Sequence, residues 1–265
     1  MFDIRKQKII NADCIDATKT LAAESVDVVV TSPPYNLNME TYYKDNKDYQ
    51  EYLSWLESLF VELKRVLKPH GSFFLNISGS CRQPYVPFDV CISARKYFIL
   101  QNNITWVKSV SIPEGDSWKS VGHFKPIRGK RFLNKQHESI FHFSKDGSTE
   151  INRLAIGVPY EEKYNLKRWE HESYCGAPQE DVRCRGNVWF IPYETTKNKK
   201  KNSVAFPIKV PEYCIRLHGF DENTVVLDPF LGCGTTLVAC DNLNVNGIGI
   251  EIDVEYCKLS LENLN

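Results

Sequence analysis

The chain has 265 residues, of which 42% are hydrophobic and 25% are charged, and this composition excludes a disordered, collagen-like or coiled-coil protein. Lys and Arg number 33, as do Asp and Glu, so a strongly basic whole-protein field is excluded but a local basic surface is not. No apolar run reaches the roughly 20 residues that span a bilayer, and no secretory signal follows the N-terminus, so we expect a cytoplasmic protein without a membrane partner. The nine cysteines include no C-x-x-C pair, which argues against a disulfide framework and a metal site.

The first third of the chain predicts alternating strands and helices. The apolar run from Val26 to Val30, broken only by Asp27, is typical of a strand that is buried on both faces. Apolar residues then recur every three or four positions from Tyr49 to Leu67, which predicts a helix that is capped by Asp48 and ended by Pro69 and Gly71. Three further elements follow, namely a strand at 73–77, a weaker helix at 88–98 and a strand at 99–107.

The character of the sequence changes from about Lys108 to Arg185, where glycine and proline recur and only Ser139–Phe143 has the pattern of a clear strand. The last third returns to the first pattern, with strands predicted at 188–191, 224–227 and 247–250 and helices at 211–217, 235–243 and 253–264. Strands that alternate with helices predict an α/β fold with a parallel sheet covered on both faces. The irregular middle stretch is interpreted as an insertion between the two halves of that fold.

A glycine-rich turn follows the strand that ends at Leu227. Gly232 and Gly234 allow the backbone to approach a ligand closely, and Thr235 is placed to cap the next helix. Glu251 ends the following strand, where a carboxylate accepts hydrogen bonds from ribose hydroxyls in nucleotide-binding folds. The third glycine of a dinucleotide-binding pattern is missing, so the turn predicts a nucleoside-type cofactor without phosphates.

A second distinctive turn, Thr31-Ser32-Pro33-Pro34-Tyr35, comes directly after a buried strand, where ligands of open α/β sheets bind. Two prolines remove backbone donors, so this rigid edge offers carbonyl oxygens and a serine hydroxyl beside a tyrosine ring. Such an edge suits a planar group with an exocyclic amine, such as a nucleobase. The alternative is a rigid loop with a packed tyrosine.

Together these elements resemble the amino-group DNA methyltransferases that use S-adenosylmethionine, in the circularly permuted class whose catalytic part comes first. The family's catalytic [Asp/Asn/Ser]-Pro-Pro-[Tyr/Phe] element matches residues 32–35, and its cofactor turn, Asp-Pro-Phe-x-Gly-x-Gly-Thr-Thr, matches residues 228–236. Its Arg-Val-Leu-Lys-Pro-x-Gly element matches residues 65–71, and its Phe-Pro before a helix matches residues 206–207. The resemblance covers residues 7–107 and 186–262.

The resemblance implies a Rossmann-like methyltransferase sheet in circularly permuted order. The catalytic half is expected at residues 1–109, an irregular inserted target-recognition region at 110–185, and the cofactor-binding half at 186–265. Catalysis is assigned to Ser32, Pro33, Pro34 and Tyr35. Cofactor binding is assigned to Asp13, Thr31, Phe206, Asp228, Pro229, Phe230, Gly232, Gly234, Thr235, Thr236 and Glu251.

Several alternatives stay open at this stage. In the resembled family, Ser-Pro-Pro-Tyr goes mostly with cytosine N4 and Asp-Pro-Pro-Tyr mostly with adenine N6, so Ser32 favours transfer to cytosine N4, with adenine N6 as the alternative. Transfer to a protein glutamine would call for an asparagine at position 32. A non-catalytic subunit that binds cofactor or DNA is an alternative of another class. The alternative for Asp13 is a residue in a turn or at a helix cap.

A basic stretch without acidic residues runs from Lys119 to Gln136 and suits contacts with the phosphates of double-stranded DNA. The residues assigned to DNA are Lys119, Lys125, Arg128, Lys130, Arg131 and Lys135. The alternative for this stretch, and for a second basic run at 197–201, is a solvated surface loop. Residues 38–48 are interpreted as a loop that closes over a flipped base or as a connector. The resemblance also raises a homodimer and a separate restriction endonuclease as partners.

Overall fold

A computed structural model describes residues 2–36, 47–122, 130–161, 182–192 and 205–265. The strands in this part of the chain are β1 (Phe2–Ile4), β2 (Gln7–Asn11), β3 (Val26–Thr31), β4 (Leu67–Ile77), β5 (Ile99–Val107), β6 (Ser109–Glu114), β7 (Ser117–Gly122), β8 (His137–Ser144), β9 (Val158–Pro159), β10 (Val182–Arg183), β11 (Val188–Phe190), β12 (Val225–Asp228) and β13 (Asn246–Glu251). The helices are α1 (Cys14–Thr20), α2 (Tyr49–Val66), α3 (Val86–Ala94), α4 (Lys209–His218), α5 (Thr235–Asn242) and α6 (Val254–Leu264).

Nine of the strands form one sheet in the order β1-β2-β13-β12-β3-β4-β8-β5-β11. The pairs along β2, β13, β12, β3 and β4 are parallel, as are β5 and β11. The sheet is nevertheless mixed, because β8 runs antiparallel to both β4 and β5, and β1 runs antiparallel to β2. The predicted parallel pairing is therefore confirmed for β2, β13, β12, β3 and β4. Strand β8 departs from it, because it turns back beside β5 instead of crossing over through a helix.

The structure also changes the interpretation of the middle of the chain. Residues 137–144 lie between two strands of the main sheet, so this part of the 110–185 segment contributes to the sheet rather than to an insertion. Residues 109–122 form a two-stranded hairpin, β6 and β7, that sequence analysis missed. Most of its side chains are exposed, so it has no alternation of apolar and polar residues to reveal it.

Apolar clusters cover both faces of the sheet, as predicted. Neighbouring residues of β4 point to opposite faces, so Phe73 packs with α2 residues such as Leu56, while Phe74 packs with α4 residues such as Val210. Trp106 and Trp189 are almost fully buried in the same cluster as Phe74 and Val210. In the described part of the chain, no helix is both long and apolar enough to span a bilayer.

The helix boundaries follow local chemistry. Asp48 caps α2 as predicted, since its Oδ1 atom accepts hydrogen bonds from the backbone N–H groups of Gln50 and Glu51. The helix ends at Val66, one residue before the end of the predicted apolar pattern, and β4 begins directly at Leu67, ahead of Pro69 and Gly71. Helix α3 begins and ends earlier than the predicted 88–98, with Pro87 in its first turn.

Candidate active site

The two turns singled out by sequence come from opposite parts of the chain and lie side by side in the structure. Strands β3 and β12 pair in parallel, with Val28 opposite Val226, so both end at the same edge of the sheet. There the Thr31 hydroxyl donates a hydrogen bond of 2.7 Å to Oδ1 of Asp228. The Ser-Pro-Pro-Tyr turn and the glycine-rich turn are thereby joined at their first residues.

Asp228 organises the glycine-rich turn. Its side chain is almost fully buried and accepts three hydrogen bonds, from the Thr31 hydroxyl, from the Phe230 backbone N–H at 3.0 Å and from the Thr236 hydroxyl at 2.5 Å. Burial raises the pKa of Asp228 to about 6, although these hydrogen bonds oppose the shift. Two of the three threonines that sequence analysis assigned to the cofactor, Thr31 and Thr236, therefore hold this carboxylate in place.

The two glycines of this turn have different surroundings. Gly232 has a φ of 56°, and a Cβ atom placed on it would meet no atom within 4 Å, so its backbone faces open space. Gly234 has a φ of 89°, and a Cβ atom there would lie 2.9 Å from Cβ of Ser260 on α6. Gly234, not the predicted Thr235, occupies the cap position of α5, and Thr235 is the first helical residue.

Glu251 lies at the end of β13 with its carboxylate facing the glycine-rich turn. It accepts a hydrogen bond of 2.8 Å from the Gly232 backbone N–H and one of 2.9 Å from the Asp253 backbone N–H. Burial is the main cause that raises the pKa of this carboxyl. The Glu251 backbone carbonyl accepts a hydrogen bond from Ala12, which places Asp13 at the same edge. Asp13 itself caps α1 by accepting from the N–H groups of residues 15 and 16, so the helix-cap interpretation is confirmed, and its role toward a cofactor stays a prediction.

The aromatic residues assigned to the cofactor are packed to different degrees. Phe206 is 8% exposed and lies in the apolar cluster that contains Trp189. Phe230, which follows Pro229 in the turn, is half-buried and packs against Trp55 of α2, with 5.5 Å between the ring centroids. These contacts with α2 help to hold the turn, and the two phenylalanines' roles toward a cofactor stay predictions.

The Ser-Pro-Pro-Tyr turn is supported by its own side chains and by α2. The Ser32 and Tyr35 hydroxyl oxygens lie 2.8 Å apart, within hydrogen-bond distance. The Pro34 carbonyl accepts a hydrogen bond of 2.8 Å from the hydroxyl of Tyr52 on α2. Pro33 is buried, so both prolines of the turn are held by the surrounding protein. One of the predicted carbonyl acceptors is thus occupied by the protein itself.

Three polar residues beside this turn were missed by sequence analysis. The Tyr35 hydroxyl donates to Oε2 of Glu138 at 3.0 Å, and the Asn76 amide lies 2.8 Å from both of these atoms. Lys108 forms an ion pair of 2.8 Å with Oε1 of Glu138. Burial and then the nearby Glu138 carboxylate raise the pKa of Tyr35 well above its usual value. A signal for Asn76 existed, since it interrupts an apolar strand, but Glu138 is 103 residues from Tyr35 and nothing local connects them.

Asn36, the residue after the Ser-Pro-Pro-Tyr turn, is hydrogen-bonded to Lys47. Asn36 is buried with a φ of 55°, and its amide donates to the Lys47 carbonyl at 3.0 Å and accepts from the Lys47 N–H at 2.8 Å. The predicted closing loop at 38–48 falls almost wholly outside the described residues.

The residues assigned to DNA are only partly described. Lys119 lies on exposed β7 and pairs at 3.5 Å with the exposed Glu114. Lys130, Arg131 and Lys135 are all exposed, but the Lys135 ammonium is partly buried where it donates to the Gly79 carbonyl. Its pKa is lowered, chiefly by this burial. The remaining predicted positions, Lys125, Arg128 and the basic run 197–201, lie outside the described residues. DNA contact by any of them stays a prediction.

A family model described as DNA methylase, covering N6 and N4 methyltransferases, matches residues 26–262. The type II methyltransferase M.BglII of Bacillus subtilis is 29% identical over 277 residues, which cover 97% of this chain and 69% of that protein. The DNA adenine methyltransferase YhdJ of Escherichia coli K12 is 27% identical over 270 residues, covering 100% of this chain and 84% of that protein.

Among solved structures, the cytosine-N4-specific PvuII DNA methyltransferase superimposes with a TM-score of 0.73 at 21% identity, covering 98% of this chain and 86% of that one. The predicted methyltransferase fold is thereby confirmed. The cofactor prediction is confirmed as well, because the methylase family model matches and solved structures of the same fold contain bound S-adenosylmethionine. Since the family model covers most of the chain, this protein belongs to the DNA methylases that modify amino groups of adenine or cytosine.

Proposed function

We propose that the chain transfers a methyl group from S-adenosylmethionine to the N4 amine of cytosine at a specific site in double-stranded DNA. The observation that carries the proposal is the 2.7 Å hydrogen bond that joins Thr31 to Asp228, because it places Ser32 and Tyr35 beside the glycine-rich turn. A base held at one turn and a cofactor held at the other are then neighbours. Serine at position 32 favours cytosine over adenine.

The glycine-rich edge fits the adenosyl part of the cofactor. The open backbone at Gly232 leaves room for a ligand, and Glu251 keeps a buried carboxylate beside it as an acceptor for ribose hydroxyls. When bound, S-adenosylmethionine supplies a methyl group attached to a positively charged sulfur. The sulfur keeps the electron pair when the C–S bond breaks. Asp13, Phe206, Pro229, Phe230 and the residues of the turn complete the proposed cofactor site.

The Ser-Pro-Pro-Tyr turn is proposed to hold the target base outside the duplex. Extruding a base costs a few kcal/mol, and stacking on the Tyr35 ring returns about 1–3 kcal/mol. The base amine donates hydrogen bonds to the Ser32 hydroxyl and the Pro33 carbonyl, which draws its lone pair out of conjugation with the ring. As the new N–C bond forms and the C–S bond breaks, the nitrogen releases one proton to solvent water. Positioning supplies much of the remaining acceleration, without a covalent enzyme intermediate.

The wider setting is also a proposal. The chain order, in which β3 precedes β12 although they are neighbours, favours the circularly permuted arrangement with a target-recognition region in the middle. The exposed positions Lys119, Lys130 and Arg131 are candidates for phosphate contacts. The type II methyltransferase name of M.BglII favours a restriction–modification role with a separate nuclease, and a homodimer is a further candidate assembly.

Nucleoside mass spectrometry of unmethylated duplex DNA, incubated with the protein and S-adenosylmethionine, tests the proposal. We expect N4-methylcytosine from the unmodified protein and none from Tyr35→Ala, whose binding of cofactor serves as the check on folding. N6-methyladenine would overturn the choice of base and favour the second candidate, which the similarity to the adenine methyltransferase YhdJ supports. Cofactor binding without a methylated nucleoside, on genomic DNA containing all short sequences, would overturn the proposed activity.

A further inference from the structure

A continuous set of hydrogen bonds leads from the Ser-Pro-Pro-Tyr turn to an ion pair on the neighbouring strands. Ser32 Oγ lies 2.8 Å from the Tyr35 hydroxyl, which donates to Glu138 Oε2 at 3.0 Å, and Glu138 Oε1 accepts from Lys108 at 2.8 Å. The Glu138 and Lys108 side chains are 11% and 22% exposed, and Asn76 is 2% exposed. Little water therefore competes for these bonds, which strengthens them.

The ion pair sets the direction of every bond in this set. An ionised carboxylate only accepts, so Glu138 takes the single proton of Tyr35 as well as protons from Lys108 and Asn76. The Tyr35 oxygen has lone pairs left, which accept from the Asn76 amide and from Ser32. The Ser32 proton is thus directed at Tyr35. The Asn76 amide also faces Ser32 Oγ at 3.4 Å, so Ser32 acts as an acceptor with one lone pair left for an incoming donor.

We propose that Glu138 is a positioning residue that makes the Ser32 hydroxyl an acceptor for the amine of the target base. This inference rests on the proposed function, and it explains how a neutral serine takes the place that a carboxylate holds in Asp-Pro-Pro-Tyr enzymes. The carboxylate lies two hydrogen bonds from Ser32 rather than at position 32 itself. Its effect reaches the base through Tyr35, which also provides the stacking surface.

Glu138→Gln tests the inference with almost unchanged side-chain shape. The glutamine amide can donate to Tyr35, which turns the Tyr35 proton toward Ser32 and makes Ser32 compete with the base amine as a donor. We expect kcat for methylation to fall about tenfold or more, the equivalent of one charge-assisted hydrogen bond. The KM for DNA and the Kd for S-adenosylmethionine should change less than about twofold.

The matched control is Glu57→Gln. Glu57 also accepts hydrogen bonds from a hydroxyl and an ammonium, those of Ser93 and Lys96, both at 2.6 Å. It is a residue of α2 whose side chain contacts Ser93 of α3, away from the turn. The kcat of the Glu57→Gln variant should equal that of the unmodified protein. A kcat for Glu138→Gln that matches this control would overturn the inference.

A double variant separates positioning from a general structural effect. Tyr35→Phe removes the hydroxyl that connects Glu138 to Ser32 but keeps the ring, so it should lower kcat by itself. Adding Glu138→Gln to Tyr35→Phe should then lower kcat by no more than about twofold, because the connection is already broken. If the two substitutions together lower kcat by the product of their separate effects, the inference is overturned. A Tyr35→Phe variant with unchanged kcat would also overturn it. The Tyr35→Phe test can be read even if Glu138→Gln fails to bind cofactor. An unmodified protein that methylates no DNA would instead overturn the proposed function on which the inference rests.

Discussion

Asp228 stabilises the edge of the sheet where both turns meet, because its oxygens accept from one residue of the catalytic turn and two of the cofactor turn. Burial removes water from the Asp228 carboxylate and disfavours its charged form, so its pKa rises to about 6. Asp228 therefore combines a structural role with a raised pKa, and the dependence of stability on pH can be used to measure that pKa.

Asp228→Asn should change how stability depends on pH. Since the Asp228 pKa is about 6 in the folded protein and near 3.8 in the unfolded chain, the folded state holds the proton between these values. Raising the pH through this window therefore lowers the free energy of unfolding, by up to about 1.4 kcal/mol per pH unit. The variant lacks this contribution, so its stability relative to the unmodified protein should improve as the pH rises from 4 to 6. Urea unfolding curves at several pH values measure the difference, and a constant offset would contradict the shift.

Gly232→Ala separates backbone strain from ligand contact. Gly115 at the tip of the β6–β7 hairpin is a matched control, because its φ of 60° and open surroundings resemble those of Gly232. Alanine at a positive φ costs about 1–2 kcal/mol of stability, so both variants should lose a similar amount. Only Gly232→Ala should weaken binding of S-adenosylmethionine, by about tenfold or more in calorimetry. Equal affinities in the two variants would place the cofactor away from Gly232.

At the scale of secondary structure, α2 does more than cover the sheet. Its Asp48 cap fixes where the helix begins, and one turn later Tyr52 is buried with its hydroxyl on the Pro34 carbonyl. Trp55, one turn further, packs on Phe230 of the cofactor turn. Sequence analysis found the helix and its cap from periodicity and local chemistry, but which turns it supports depends on packing.

Tyr52→Phe should loosen the catalytic turn with little change in packing. The lost hydrogen bond to Pro34 is expected to cost about 1 kcal/mol of stability and to lower kcat, because the Ser-Pro-Pro-Tyr backbone loses a support. Tyr49→Phe on the same helix is the control, since the Tyr49 hydroxyl donates at 2.7 Å to Asp89, away from the turn. Tyr49→Phe should lower stability at least as much as Tyr52→Phe does, and it should leave kcat unchanged. Equal kcat values in the two variants would show that α2 does not support catalysis.

At the scale of the whole molecule, motifs with local signatures were predictable and long-range partners were not. Both turns, the cap of α2 and most strands were identified from short patterns, and the matching motifs implied the sheet edge where they meet. The position of β8 was not predicted, because its apolar residues do not reveal strand direction. The Thr31–Asp228 bond spans 197 residues and the Tyr35–Glu138 bond 103, so only the folded sheet brings these partners together.

The strand order makes a further prediction about cooperativity. Strands β12 and β13 come last in the chain but lie between β2 and β3, so residues 205–265 supply two inner strands of the sheet. A fragment of residues 1–192 deprives β2 and β3 of one neighbouring strand each and exposes the apolar residues that β12 and β13 cover. We expect this fragment to lack a cooperative thermal transition in circular dichroism. Co-expression with residues 205–265 should restore both the transition and binding of S-adenosylmethionine, because the cut removes no described strand or helix. A fragment 1–192 that unfolds cooperatively at the temperature of the whole protein would show that the two parts fold independently and only then dock.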